Sequence, residues 1–268
     1  MNPLFSIVTV CFNSEATIER TLRSVLQQRC KDYEYLIVDG ASKDGTMSIV
    51  RRYEPLFEGR LTATSEPDKG IYDAFNKGCR KAQGRYLWIV NSDDYLEPDA
   101  LEQLERVVAG FDADNLPIIS CGAHIVDAEG KVLHDLLYDA SDLQWRMKVD
   151  SIAFVHPATL VPKAVYERRG YYDDHYRIMA DLDWSRRVWM AGESIVYQPI
   201  FVTNMYNGGI SSGLRLSVNI KERRYYFSKF YENPWERKRH FWHWMWMYLK
   251  GHLKTWLVQH NILKSKQS

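Results

Sequence analysis

Tyr86–Pro98 reads YLWIVNSDDYLEP. Five residues suited to a buried strand run straight into Asn91, Ser92, Asp93 and Asp94. Adjacent carboxylates repel one another and are costly to desolvate, so a pair at a strand end needs a cation, a substrate or open water. The flanking segments narrow the choice. FSIVTVCF at Phe5–Phe12 is continuously apolar, as in a strand covered on both faces, and Asn13 and Ser14 then offer caps for a helix that sets Ile18, Leu22, Val25 and Leu26 on one side. YLIVD at Tyr35–Asp39 is a second strand, ending in the turn-rich GASKDGT, and a short helix follows from Thr46 to Tyr53. Leu61–Ser65 forms a third strand. Ile71, Ala74, Phe75, Gly78, Cys79 and Ala82 then share one helical stripe that Gly84 stops, and after the Tyr86–Val90 strand Pro98 opens a helix to about Ala109.

Strand and helix thus alternate four times with short connections, the pattern of a parallel sheet wrapped by helices. Ligands of such sheets bind beyond the carboxyl ends of the strands, where Asn13, Asp39 and Ser92–Asp94 all fall. After Pro117 the pattern loosens. PIISCGAHIVDAEGKVLHD predicts a hairpin turning at Glu129 and Gly130, IAFVHPATLVP a strand pair, Pro162–Gly170 a short helix, and DLDWSRRVWMAG a helix closed by Gly192. With no internal repeat or low-complexity linker, residues 1–213 read as one domain with halves at 1–116 and 117–213, followed by a tail at 214–268.

A hydrophobic content of 46% over 268 residues supplies a sizeable core. A formal net charge of +1 gives no global field to hold nucleic acid or an anionic surface, so any such attraction must be local. Cys11, Cys30, Cys79 and Cys121 lie far apart without the short paired spacing of zinc sites, which favours reduced core thiols and a cytoplasmic chain. The start, MNPLFSIVTV, lacks the basic flank and length of a secretory signal, and no run approaches the roughly 20 apolar residues of a membrane span.

The chain resembles the family 2 glycosyltransferases, inverting enzymes of the GT-A fold that move a sugar from a nucleotide diphosphate. The resemblance runs from about Ser6 to Gly213 and rests on SIVTVCFN, LIVDGASKDGT, SEPDKGIYDAFNKG, GRYLWIVNSDD, HPATLVP, GYYDDHYRIMADLDW and NGGISS, in the family's order. It implies an α/β GT-A fold: a mostly parallel nucleotide-binding sheet flanked by helices, a smaller mixed acceptor half, and here a helical tail. It further implies that Thr9, Asn13 and Asp39 hold the nucleoside, that Asp94 holds a metal, and that Asp181 is the catalytic base. The expected reaction moves a sugar from a UDP- or GDP-sugar to a saccharide or lipid-linked saccharide acceptor, as in bacterial cell-surface polysaccharide or lipopolysaccharide synthesis. A nucleotidyltransferase would show a glycine-rich basic loop near the first strand, which VCFNSEATIER lacks; a non-catalytic nucleotide-sugar-binding scaffold is the other alternative.

The residues can do this chemistry. Mg²⁺ or Mn²⁺ is commonly held by one or two carboxylates plus phosphate oxygens, and the SDD group offers Asp94 as ligand and Asp93 as a sugar or ribose contact. Ser92 stands where the family's D-x-D pattern begins, which leaves a single ligand. A solvated turn before the Pro98 helix is the plain alternative. Asp39 can accept from a uracil imide or a ribose hydroxyl, or merely cap its turn. Asp68, Lys69 and Asn76 flank a helix start near Gly70 whose N–H groups suit phosphate, though a solvated helix face serves the lysine equally. Inverting transfer needs one carboxylate to take the acceptor proton. Asp181 and Asp183 lie about 200° apart on a helix, so only one faces a pocket: Asp181 aligns with the base, behind Ala180 where the motif usually has an acid, and Asp183 supports the helix start. An N-cap role for Asp181 stays open. His156, between Val155 and Pro157, is placed by the resemblance near the acceptor or sugar, while by itself it reads as a bonded core histidine. NGGISSG at Asn207–Gly213 is a lid over the diphosphate or only a linker.

From Lys221 to His260 the chain carries nine Lys or Arg against three Glu, with Trp235, Trp242, Trp244, Trp246 and Trp256 interspersed. Basic residues beside tryptophans suit a lipid headgroup layer. Peripheral attachment at the inner face of the cell membrane is the expectation, with packing on the catalytic domain or on a second subunit of a homo-oligomer as the alternative. No stacking sheet or groove-reading helix for nucleic acid accompanies the basic tail.

Overall fold

The computed structural model describes residues 2–152, 154–208 and 216–259, with the side chains of residues up to 250. Two compact units form, one from residues 1–147 and 151–213, the other from 148–150 and 214–268.

The first unit is built on a nine-stranded sheet. Its strands are β1 (Phe5–Cys11), β2 (Tyr33–Asp39), β3 (Leu61–Ser65), β4 (Tyr86–Ile89), β5 (Tyr95–Leu96), β6 (Ile118–Val126), β7 (Val132–Leu136), β8 (Thr159–Pro162) and β9 (Ile195–Tyr206). They lie in the order β3-β2-β1-β4-β8-β6-β9-β5, with β7 beside β6. The pairs β1–β2, β2–β3 and β1–β4 are parallel, in the register Cys11 to Asp39 and Asp39 to Ser65. This register brings the carboxyl ends of β1, β2 and β3 level, so side chains just past them form one rim. All seven residues of β1 are buried, as its unbroken apolar run requires.

Helices α1 (Ile18–Leu26), α2 (Thr46–Tyr53), α3 (Ile71–Lys81) and α4 (Ala100–Val108) alternate with the first strands. The apolar stripe of α3 lies against β1 and β2 so closely that a Cβ on Gly78 would collide with the Val8 side chain. Burying rings such as Tyr35, Tyr86 and Trp88 is worth about 1.5–3 kcal/mol each. Their polar tips are also satisfied: Trp88 Nε1 donates to the Pro157 carbonyl at 2.9 Å and Tyr86 Oη to that of Pro117 at 3.1 Å.

In the second half of this unit β6 and β7 form the expected hairpin, with Gly130 at φ 85° in its turn. Among the described residues IAFVHPATLVP shows one strand rather than two: His156–Ala158 winds into a 3₁₀ turn with Pro157 in its first positions, and β8 follows. Three elements escape the sequence reading. Helix α5 (Ala140–Lys148) begins where Asp139 accepts from the backbone N–H groups of Ser141 and Asp142. Strand β5 is two residues long. Strand β9 contains Pro199, which ordinarily argues against a strand. Between the pairs Ser120–Tyr197 and Gly122–Phe201 the register slips, leaving three β9 residues opposite one of β6, and the proline sits in that bulge. Helices α6 (Lys163–Arg169) and α7 (Ala180–Met190) follow the expected stops, Gly170 at φ 78° and Gly192 at φ 70°.

The second unit is helical, with α8 (Leu216–Phe230) and α9 (Pro234–Gln259). Residues 148–150 belong to it through Asp150, whose carboxylate accepts from Tyr231 Oη at 2.8 Å and meets His240 Nδ1 at 2.7 Å. Among the described residues no helix is long and apolar enough to cross a membrane.

Candidate active site

The rim collects acids from several segments. Asp39 ends β2 fully buried. Its Oδ1 accepts from Ser42 Oγ at 2.5 Å, and its Oδ2 from Ser42 N at 3.0 Å and Ser65 Oγ at 2.6 Å. Two of these donors are rotatable hydroxyls, which can yield to a ligand N–H without moving the backbone. Gly40 follows, and a Cβ there would strike the Asp68 carboxylate and lie 3.4 Å from Phe12 Cδ2. Glycine thus lets Asp68 and the Phe12 ring close in beside Asp39. Phe12 is 60% exposed, a large aromatic left in the open beside Gly40 on this acidic rim. The sequence reading passed over it, although an aromatic immediately beyond a fully buried strand is itself a signal.

Two of the expected nucleotide contacts lie inside the fold. Thr9 lies two residues short of the end of β1, fully buried, and its hydroxyl accepts from Tyr35 Oη at 3.1 Å, so its side chain supports the sheet from within. Asn76 is buried on α3, where its Nδ2 donates to the Tyr172 carbonyl at 2.8 Å and its Oδ1 accepts from Tyr172 N at 2.9 Å. Both ends of its amide therefore tie α3 to the segment between α6 and α7. Asn13, in the left-handed region at φ 50°, is exposed, and its Oδ1 accepts from Lys43 N at 2.9 Å, ordering the loop after β2. Lys69 is exposed, 3.9 Å from Asp174. Asp68 accepts from Gly70 N at 2.9 Å, just ahead of α3.

Beyond β4, the acidic turn is braced from α1: Thr21 Oγ1 donates to the carbonyls of Ser92 and Asp94 at 3.0 and 2.6 Å, and Arg20 to that of Asp93 at 3.1 Å. The hydroxyls of Ser14 and Ser92 lie 2.8 Å apart and join this turn to the loop after β1. Asp94 is 2% exposed. Its Oδ1 accepts from Tyr206 N at 3.0 Å and its Oδ2 from Asn91 Nδ2 at 2.9 Å. Burial pushes the Asp94 carboxyl up to about 7, with the charge of Asp93 adding to the effect. Asp93 is raised by burial too. Beside them Asn91 Oδ1 is buried with no hydrogen-bond partner among the described residues. Two desolvated carboxylates next to an orphaned carbonyl oxygen are an all-oxygen set whose charge Arg20 offsets only in part, and a hard divalent cation fits it.

Asp181 and Asp183 separate as expected from helical geometry. Asp183 is fully buried, paired with Arg187 Nε at 2.9 Å and accepting from Tyr176 Oη at 3.2 Å, so it fastens α7 in place. Asp181 stays half-buried in the first turn of α7, accepting from Leu182 N at 2.8 Å and from Tyr72 Oη at 3.4 Å. Tyr72 belongs to α3, and that hydrogen bond connects the end of the helix beside Asp68 with Asp181. Of Asn207–Gly213, read as a lid or a linker, the stretch 209–213 lies outside the described residues.

His156 stacks on Phe75 with ring centroids 5.4 Å apart, and its Nε2 meets Tyr172 Oη at 3.0 Å. Burial holds its pKa down from 6.5 to about 4, so it is neutral at pH 7 and acts as a bonded packing residue. The unfolded chain protonates this imidazole near 6.5 and the native one only near 4, so its contribution is fully present above 6.5 and is lost as pH falls through that window. Between pH 7 and 5 the loss is about 2 kcal/mol. Urea melts of His156→Phe should show that much less acid sensitivity than the parent; equal sensitivity would contradict the assignment.

Comparison with known proteins bears on the family and the fold. Residues 6–159, more than half the chain, match the family model of Glycosyl transferase family 2. The chain belongs to that family. A PGL/p-HBAD biosynthesis glycosyltransferase of Mycobacterium bovis (strain BCG / Pasteur 1173P2) is 27% identical over 219 residues, covering 78% of this chain and 80% of the relative. Among solved structures, S. aureus TarS 1-349 in complex with UDP-GlcNAc superposes with a TM-score of 0.67 at 18% identity, over 90% of this family 2 chain and 69% of that one. The chain spans 41% of the longer TarS structure. Mannosyltransferase PcManGT from Pyrobaculum calidifontis, in complex with GDP-Man and Mn²⁺, gives 0.61 at 19% identity over 87% of this chain and 65% of that one. These structures share the GT-A fold with the family 2 glycosyltransferase described here. Its sheet is parallel on the β1–β4 side and mixed beyond, flanked by helices.

Proposed function

We propose that this glycosyltransferase inverts configuration at the anomeric carbon of a UDP- or GDP-sugar, with Asp181 as base and Asp94 as the metal-holding carboxylate. The observation that carries the reading is the placing of Asp39 and Asp68 beside Gly40 at the start of α3, the same helix whose Tyr72 hydroxyl donates to Asp181, with the Asp93–Asp94 turn joined to the loop after β1 through Ser14 and Ser92.

In this reading Phe12 stacks on the base and Asp39 accepts its imide N–H, the Ser42 and Ser65 hydroxyls turning aside. Asp94 holds Mn²⁺ or Mg²⁺, with the Asn91 carbonyl oxygen in reserve beside it and Asp93 left for ribose or sugar hydroxyls. A divalent cation bound there would balance the charge that grows on the departing diphosphate, so that no separate acid is needed. Asp181 takes the proton of the acceptor hydroxyl as its oxygen attacks from the face opposite the leaving group. The Tyr72 hydroxyl and the Leu182 N–H orient the Asp181 carboxylate. Support for a divalent ion and for these donors comes from PcManGT, solved with GDP-Man and Mn²⁺, and from TarS, solved with UDP-GlcNAc. The acceptor is a saccharide or lipid-linked saccharide, and the compartment is the cytoplasm, where the buried thiols of Cys11, Cys79 and Cys121 stay reduced.

A panel of nucleotide-sugars, assayed for released nucleoside diphosphate with Mn²⁺ and again with chelator, tests this. Turnover of one UDP- or GDP-sugar that disappears on chelation is expected; activity indifferent to chelator would remove the metal from the reading.

A further inference from the structure

Helix α9 carries two apolar faces, and packing explains only one. On the inner face, His240 stacks on Tyr231 at 4.0 Å, Phe241 lies under the Arg224 guanidinium at 5.3 Å, and Trp244 under that of Arg223 at 5.4 Å. These contacts join α9 to α8 and to the turn between them. On the opposite side Trp235, Trp242, Trp246 and Leu249 are spaced 7, 4 and 3 residues apart, which at 3.6 residues per turn sets them on a stripe about 60° wide. All four face solvent, at 76%, 65%, 55% and 56% exposure. Exposing three indoles in line wastes the burial that would otherwise stabilise the unit, and tryptophan is a poor choice for a merely wet surface.

The flanks of the stripe identify what covers it. Lys238 lies on one border and Arg239 and Lys250 on the other, and between Arg237 and Lys250 there is no acid. The Lys238 ammonium sits 5.0 Å from the Trp235 ring and that of Lys250 4.9 Å from the Trp246 ring. Each long cation therefore lies over the face of an indole, pairing ammonium and ring at the level where headgroup phosphates meet the acyl boundary. A second copy of this chain would set these cations against their own like charges around the two-fold axis. An anionic lipid surface has the complementary charge and the half-wet, half-apolar depth that indoles favour.

We propose that the Trp235–Trp242–Trp246–Leu249 face of α9 is an interfacial anchor that lies in the headgroup layer of an anionic membrane. It is independent of the donor-site chemistry and uses none of its residues.

The test is flotation of the full chain with vesicles of phosphatidylcholine alone and of phosphatidylcholine with phosphatidylglycerol, together with the triple variants Trp235→Ser/Trp242→Ser/Trp246→Ser and Lys238→Glu/Arg239→Glu/Lys250→Glu. Circular dichroism and light scattering verify fold and oligomeric state. The parent should float with the anionic vesicles and not with the neutral ones, and each triple variant should lose roughly tenfold or more of that binding while keeping its helical signal. Brominated acyl chains should quench the tryptophan fluorescence of the parent only. Binding that survives the tryptophan substitutions, absence of binding to either vesicle, or a parent dimer that the tryptophan variant converts to monomer would each overturn the proposal, the last in favour of a self-association face.

Discussion

Asp181→Asn is expected to lower turnover by roughly 10²–10⁴-fold, the range a positioned general base supplies, with donor affinity unchanged. The substitution keeps the shape of the side chain and can still accept from Tyr72 Oη and Leu182 N, so the first turn of α7 persists. Removing a charge from a helix start costs only about 0.3–1 kcal/mol, too little to unfold the domain. The effect therefore falls on the proton transfer. Isothermal titration with the donor, paired with single-turnover kinetics, separates the two. Turnover within a few-fold of the parent would make Asp181 an N-terminal helix residue and nothing more.

Asp94→Asn should cost on the order of 10²–10³ in rate and abolish the response to added Mn²⁺. It should also stabilise the metal-free protein. The native Asp94 carboxyl titrates near 7 against an ordinary value of 3.8, so the folded state binds the proton more tightly than the unfolded state. Its contribution is complete below pH 3.8 and is lost as pH rises towards 7. At pH 8 in chelator the parent therefore carries a buried, unsolvated charge beside Asp93, while an amide there carries none. Thermal melts should show Asp94→Asn above the parent at pH 8, with the gap closing at pH 5. A variant that melts below the parent at pH 8 would show that Asp94 serves the fold rather than an ion.

The parallel half of the sheet was legible because its signals are local. Continuous apolar runs mark β1, β2 and β4, a 3.6-residue stripe marks α3, and turn residues sit between them. Asp39, Asp93 and Asp94 were legible for the same reason, as acids immediately beyond such runs. The burial of Thr9 was not legible because position along a strand does not tell which face a side chain takes: one residue decides between rim and interior. The burial of Asn76 was not legible because its partner, the Tyr172 backbone, is 96 residues away, and nothing local announces it. Strand β9 was hidden by Pro199, whose missing N–H is harmless only because the ladder to β6 slips at that point. Phe12 was visible all along, but its meaning depends on Gly40 and Asp68 closing beside it, which only the folded rim reveals.

The central claim is that one rim seats the donor between Asp94 and Asp181. A crystal structure of the Asp181→Asn variant with its nucleotide-sugar and Mn²⁺ tests it most directly. The base should lie against Phe12 and Asp39, the diphosphate at the Asp93–Asp94 turn, and the anomeric carbon should present its back face to the side chain at position 181, with room for one hydroxyl between. A donor whose base lies elsewhere, or whose anomeric carbon is out of reach of that side chain, would contradict the account.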